Sequence, residues 1–247
     1  MKSKQQNSLH GLRVAVTGGT SGLGLALVEA FAARGAAVAF VARNEVRVAE
    51  VASRVAGTHG IAGDVARKED IHPIVLQITG ALGGVDVLIN NASTLGPVPL
   101  ALLADTQCED LEAALTTNVV GPFRLTKALL GALVAAARAG GPALVINIIS
   151  DAAINAYAGW GAYGASKAAL AHLGRIWDEE LRGHGVHVIA VDPGDMDTPM
   201  HAAAVPDADR ASLKRPADAA REIVALIEAH AKEARHVGRA HPESAPA

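Results

Sequence analysis

Five short runs, Arg13 to Thr17, Ala36 to Ala42, Val85 to Asn90, Ala143 to Ile149 and Val186 to Val191, are almost wholly apolar. A strand with one wet face alternates apolar and polar residues, whereas a continuous apolar run suits a strand covered on both faces. Such strands need helices above and below, and the segments between them supply helical patterns at Gly22 to Arg34, Glu45 to Ala56 and Gly161 to Arg182. Repeated β-α-β order with connections of this length predicts a parallel sheet. The fold class is therefore α/β, a doubly wound parallel sheet with helices on both faces, in a single domain. A weaker strand is expected at His59 to Gly63, and a helix interrupted by Pro73 before Val85. Leu111 to Arg138 reads as two helical pieces separated near Gly121-Pro122, with Thr106 and Glu109 as a capping box at their start.

At 247 residues the chain can bury a large core, and with 50% hydrophobic but only 3% aromatic residues that core is aliphatic. The net charge of −3 supplies no basic surface, which argues against nucleic acid as a partner. The single cysteine, Cys108, cannot form an internal disulfide and reads as a packing residue. No Cys/His set has metal-ligand spacing, so no metal is expected. No apolar run approaches a membrane span and Met1 to His10 is polar, so a soluble, cytoplasmic protein without a membrane partner is expected. The domain is placed at 11–231, between polar tails at 1–10 and 232–247. Arg235 to Ala240 is the only candidate for a last strand.

The first predicted strand runs into Thr17-Gly18-Gly19-Thr20-Ser21-Gly22-Leu23-Gly24, which opens a helix. Gly18 and Gly22 remove Cβ atoms where backbone amides must approach a pyrophosphate, and Gly24 lets the helix pack close to the sheet. The helix N-terminus would present unpaired N–H groups to the anion. A tight turn alone would also use glycines here. The second strand ends Val41-Ala42-Arg43-Asn44. An NAD site usually carries Asp or Glu there, but Arg43 offers a guanidinium suited to a 2′-phosphate, so NADP(H) is favoured over NAD(H). Glu45 is read as favouring its helix N-terminus.

Ser150, Tyr163 and Lys167 form a Ser-x12-Tyr-x3-Lys array, with the serine at a strand end and the pair at the start of the next helix. Tyr163 and Lys167 project from one helix face. An unperturbed tyrosine ionises near pH ~10, so a nearby cation is needed to make it a useful acid or base. Ser150 could hold a substrate oxygen beside the Tyr163 hydroxyl. Taken singly, each of the three also has an ordinary structural explanation.

These motifs, with Asp64-Val65, Asn90-Asn91-Ala92, Asn118 and Pro193-Gly194, occur in the order seen in the short-chain dehydrogenase/reductase family. The chain resembles that family, in its single-domain branch, from Arg13 to about Glu228. The resemblance implies a Rossmann-like fold and hydride transfer between nicotinamide and a carbonyl or alcohol. It implies Tyr163 as proton donor or acceptor, Ser150 orienting the substrate oxygen, and Lys167 lowering the Tyr163 pKa while bonding the nicotinamide ribose. Asn118 would hold a water linking Lys167 to solvent. Thr20, Ser21, Leu23 and Asn44 join the glycines and Arg43 at the cofactor. Asp64 would contact the adenine amino group with Val65 contributing backbone, Asn90 would brace the sheet, and Asn91 and Ala92 would line the cofactor path. Pro193, Gly194, Met196 and Thr198 would wrap the nicotinamide.

Ser93 replaces the usual glycine after Asn-Asn-Ala, the glycine turn lacks the basic residue of many NADP-dependent members, and the final strand is faint. Leu95, Ile154, Tyr157, Met196 and Met200 would make the substrate pocket apolar, fit for a small or medium ketone, aldehyde or secondary alcohol. There is a loose likeness to carbonyl reductases of the sepiapterin and benzil type. A 3-oxoacyl-thioester (acyl carrier protein) reductase is an alternative that would need a basic patch at the pocket mouth, for which Arg124 and Lys127 are candidates. A non-catalytic NADP-sensing protein is a third reading. The family also implies a homodimer or homotetramer.

Overall fold

The computed structural model describes residues 9–240, with side chains through Lys232. Six parallel strands form one sheet: β1 (Arg13–Thr17), β2 (Ala37–Ala42), β3 (Thr58–Ala62), β4 (Val87–Asn90), β5 (Ala143–Ile148) and β6 (Val186–Val191). Their order is β3-β2-β1-β4-β5-β6, which reverses direction between β1 and β4. At that switch point the chain leaves adjacent strands towards opposite faces and opens a crevice at their carboxyl ends.

The apolar runs divide between two cores. Val14, Val16, Val87, Ile89, Leu144 and Ile146 point to one face, under α1 (Gly22–Ala32) and the long last helix. Ala15, Leu88, Ala143 and Val145 point to the other, under α3 (Lys68–Leu82), α5 (Gly121–Arg138) and α6 (Gly161–Leu181). Both faces are dry, so alternation disappears from the sequence. Helix α2 (Glu45–Arg54) covers the β2–β3 end, and its N-cap Asn44 accepts a hydrogen bond from the Arg47 amide at 3.0 Å. Leu9 is buried too, its amide bonded to the Arg34 carbonyl, so the domain begins inside the segment expected to be a polar tail.

Several local expectations are corrected. Helix α3 runs through Pro73 without interruption. A proline inside a helix costs ~3 kcal/mol, but Ile71, Ile74, Ile78 and Leu82 recur at helical spacing and are all buried. Each such side chain contributes about 1.5–3 kcal/mol on burial, which outweighs the lost bond. Helix α4 (Cys108–Leu115) starts after Gln107, and Thr106 Oγ donates to the Leu102 carbonyl, so the Thr106–Glu109 capping box does not form. Cys108 is exposed and is no packing residue.

The two pieces expected in Leu111 to Arg138 are joined by a π-helical turn, Thr116–Val120, rather than parted at Gly121. The resulting Cys108–Arg138 stretch is long and apolar enough to cross a membrane by length and composition, contrary to the sequence expectation. Its hydropathy serves the core here: Leu125, Leu129 and Leu133 are fully buried beneath the sheet. Short helix α7 (Pro199–Ala204) precedes α8 (Pro216–Ala240). Arg235 to Ala240 lies within α8, so the candidate last strand is helical.

Candidate active site

A cleft of about 760 Å³ opens along the carboxyl ends of the strands. At one end it is walled by the glycine turn. Gly18 has φ +72°, and a Cβ there would lie 2.9 Å from Asn91 Nδ2; at Gly24 it would lie 2.6 Å from the same atom. Thr17 fixes this junction, donating to the Ile89 carbonyl and accepting from the amides of Asn91 and Ala92. Asn91 Nδ2 in turn donates to the Thr17 carbonyl at 2.8 Å. Ser21 is the N-cap of α1 but makes no side-chain cap bond. The first-turn amides of α1 are thus left without a side-chain acceptor beside a cleft lined by Thr20, Ser21, Gly22 and Leu23. This cradle fits a pyrophosphate.

Arg43, Asn44, Asp64 and Val65 line the same end. The Asn44 side chain is committed to capping α2, and Asp64 Oδ1 accepts from the Ala66 amide. Arg47 also lines the cleft, and sequence reasoning missed it. Its spacing of one helical turn from Arg43 is the signal that could have found it. This end of the cleft is therefore lined by two guanidiniums rather than one.

At the other end Ser150, Tyr163 and Lys167 come together. Ser150 ends the β5 segment, and the start of α6 brings Tyr163 and Lys167 to it. Lys167 is almost fully buried, and Nζ donates to the Ile148 carbonyl at 2.7 Å. The ammonium has three donors and that carbonyl takes one of them. Burial lowers the Lys167 pKa to about 7. Burial also raises Tyr163 to about 12, opposed by a hydrogen bond with Ser150 and reinforced by Asp192, Asp151 and Asp195. In the protein alone the net Tyr163 shift is upward, because desolvation is its largest cause. Lys167 Nζ lies 5.5 Å from the Tyr163 ring centroid, and Trp160 packs edge-on to that ring at 5.7 Å.

Asn118 lies in the π-helical turn and is fully buried rather than on the cleft wall. Its Oδ1 accepts from Ser93 Oγ and the Thr94 amide, while Nδ2 donates to the Thr94 carbonyl and Ser166 Oγ. The side chain is saturated, so only main chain remains to hold a water. Ser93, the departure from glycine, uses its extra hydroxyl on this residue. Asn90 is buried and donates to Asn147 on the neighbouring strand β5 and to Thr126 on helix α5, which suits bracing.

Pro193, Gly194, Met196 and Thr198 line the cleft. The flanking Asp195 carbonyl and Asp197 amide bond to Lys214, which pins Met196 in place. Thr198 Oγ accepts from the His201 amide and caps α7, leaving its own proton to donate. Leu95, Tyr157 and Met200 line the substrate end, but Ile154 does not. It is 80% exposed and borders a separate cavity of about 540 Å³ beside β6. The turn Asp151–Ala153 carries it away from Ser150.

The short chain dehydrogenase family model matches residues 13–209. The chain belongs to the short chain dehydrogenase family. It is an oxidoreductase of CH–OH groups with a nicotinamide cofactor. It is 35% identical over 206 residues to a short chain dehydrogenase of Pseudocercospora fijiensis, covering 80% of this chain and 63% of that protein. It is 33% identical over 194 residues to 2-(R)-hydroxypropyl-CoM dehydrogenase of Xanthobacter autotrophicus, covering 75% and 74%. A short chain dehydrogenase from Burkholderia cenocepacia, solved in complex with NADP, superposes with a TM-score of 0.77 at 27% identity over 90% of this chain and 92% of that one. For this short chain dehydrogenase the match takes in β1 through the turn after α7 and so spans the whole cleft.

Proposed function

We propose that this dehydrogenase uses NADP(H) to interconvert a small or medium ketone or aldehyde with its alcohol. The observation that carries the reading is the convergence of Tyr163, Ser150 and the buried Lys167 in the cleft that the uncapped α1 N-terminus also faces. When bound, the nicotinamide supplies or accepts hydride and, in its oxidised form, adds positive charge beside Tyr163. Tyr163 gives its phenolic proton to the carbonyl oxygen in reduction and takes the hydroxyl proton in oxidation. Burial raises its pKa to about 12, so in the protein alone it stands protonated but is a weak acid, and the positive charge of an oxidised nicotinamide would favour the phenolate. Ser150 orients the reacting oxygen. Lys167 would hold the ribose hydroxyls of the cofactor with the donors that Ile148 leaves free. Asn118 holds the Thr94 segment against α6 through Ser166 and positions the wall between them.

Arg43 and Arg47 support NADP(H) over NAD(H), since paired guanidiniums suit a dianionic phosphate. Arg124 and Lys127, the candidate basic patch of the thioester alternative, do not line the cleft; Arg124 donates to the Ala66 carbonyl and Lys127 sits over the Phe123 ring. The first test follows nicotinamide absorbance with NADPH or NADH and a panel of ketones, aldehydes and 3-oxoacyl thioesters. Turnover with NADPH is expected. Arg43→Ala should weaken NADPH binding about tenfold while leaving NADH nearly unchanged, because a charged hydrogen bond is lost only with the phosphate. Equal weakening of both would overturn the cofactor preference.

A further inference from the structure

The substrate end of the cleft is acidic. Asp151, Asp192 and Asp195 line it, whereas Arg43 and Arg47 lie at the far end. The cations at the substrate end are the buried Lys167 and, when protonated, His201, whose Nε2 is 3.9 Å from Asp195. Leu95, Met196 and Met200 supply the apolar lining that the sequence predicts, and the three carboxylates line the cleft with them.

Asp151 is the carboxylate in contact with a reacting group. Its Oδ1 accepts from Ser150 Oγ at 3.0 Å, and its Oδ2 accepts from Tyr157 Oη at 2.7 Å. The Ala152 amide and the Asn155 side chain also interact with it. A serine hydroxyl has one proton. While that proton is given to Asp151, Ser150 has none for a substrate oxygen.

We propose that Asp151, held in place by Tyr157, recognises a hydrogen-bond donor on the carbon next to the reacting carbon, either a hydroxyl or an ammonium. The inference rests on Ser150 and Tyr163 being the reaction centre. The substrate's donor takes the acceptor place that the Ser150 hydroxyl vacates, and the Ser150 proton then turns to the substrate oxygen. Polar atoms on adjacent carbons can lie about 2.8 Å apart, the span of a hydrogen bond. The Ser150–Asp151 separation of 3.0 Å matches that span, so one substrate can engage both. A plain ketone must compete with Asp151 for the Ser150 proton and offers nothing in exchange. A substrate with an adjacent carboxylate meets like charge.

The test compares kcat/KM for acetophenone, 2-hydroxyacetophenone, 2-aminoacetophenone and benzoylformate in the wild type, Asp151→Leu and Tyr157→Phe. Ratios between variants cancel the intrinsic reactivity of each ketone. The preference for a donor-bearing ketone over acetophenone should fall about tenfold in Asp151→Leu and by a smaller factor in Tyr157→Phe. The discrimination against benzoylformate should relax in Asp151→Leu. Whether the hydroxy or the amino ketone shows the larger loss identifies the donor. An unchanged preference in Asp151→Leu would overturn the inference. So would a proportional loss on all four ketones, which would assign Asp151 to the ionisation of Tyr163 instead. Absence of turnover on any ketone by the wild type, with either cofactor, would bring down the reaction-centre reading itself and the inference with it.

Discussion

At the glycine turn, backbone and neighbouring side chains approach so closely that a Cβ at Gly19 would lie 2.6 Å from Phe40 Cβ, and one at Gly24 2.6 Å from Asn91 Nδ2. At Asp151 to Trp160, across the same cleft, the chain turns outward, with Tyr157 half exposed and Ile154 80% exposed. The phosphate end is shaped by main chain held between two strands. Much of the substrate end is shaped by side chains on a surface turn, while Tyr163, Lys167 and Leu95 are anchored in buried positions. A backbone-built site accepts one ligand shape and few substitutions. A turn-built site can change its ligand without disturbing the sheet.

The largest effect should come from the anchored exception. Tyr163→Phe keeps the ring and its packing on Trp160 but removes the proton, so turnover should fall about 10²–10⁴-fold with NADPH binding retained, measured by rates and fluorescence titration. Near-normal turnover would remove Tyr163 from the chemistry. Gly24→Ala should cost about 3 kcal/mol or more in urea denaturation and abolish NADPH binding, since the new methyl meets the Gly18 carbonyl and Asn91. A well-folded variant that binds cofactor normally would erase the contrast between the two ends.

Lys167→Met addresses the cost of burying an amine at the substrate end. The folded pKa of about 7 lies below the ordinary 10.5, so between those values the unfolded chain binds more protons. Wild-type stability should therefore rise with pH across that window and be lost as pH falls through it. The Lys167→Met variant should lack most of this slope, worth a few kcal/mol across the window, in denaturation series from pH 7 to 10.5. An identical slope would mean that Lys167 is not the desolvated group. Ile154→Ser should be the mildest change, within about 0.5 kcal/mol in stability and without effect on kcat/KM. A substantial rise in KM would return Ile154 to the substrate pocket.

The same contrast governs what could be read from residues alone. The strands, the glycine turn and the Ser150–Tyr163–Lys167 array are local patterns, and their positions follow within a residue or two. Arg47 escaped because its role depends on which side of α2 faces the cleft. Ile154 was misplaced because proximity in sequence to Ser150 says nothing about the direction of the turn after it. The penalty at Pro73 is local, whereas the Ile71-Ile74-Ile78-Leu82 stripe that offsets it acts only once it is buried in the folded core.

By itself the sequence determined the α/β class, the strand-turn-helix at Thr17 to Gly24 and the candidate reacting groups, because apolar runs, glycine spacing and residue chemistry act over short distances. Only the tertiary structure decided the protonation of those groups and the polarity of the pocket. Burial that many distant residues create together lowers the Lys167 pKa and raises that of Tyr163. Asp151 faces Ser150 because the chain folds back after β5, and a carboxylate's effect depends on the atoms that surround it.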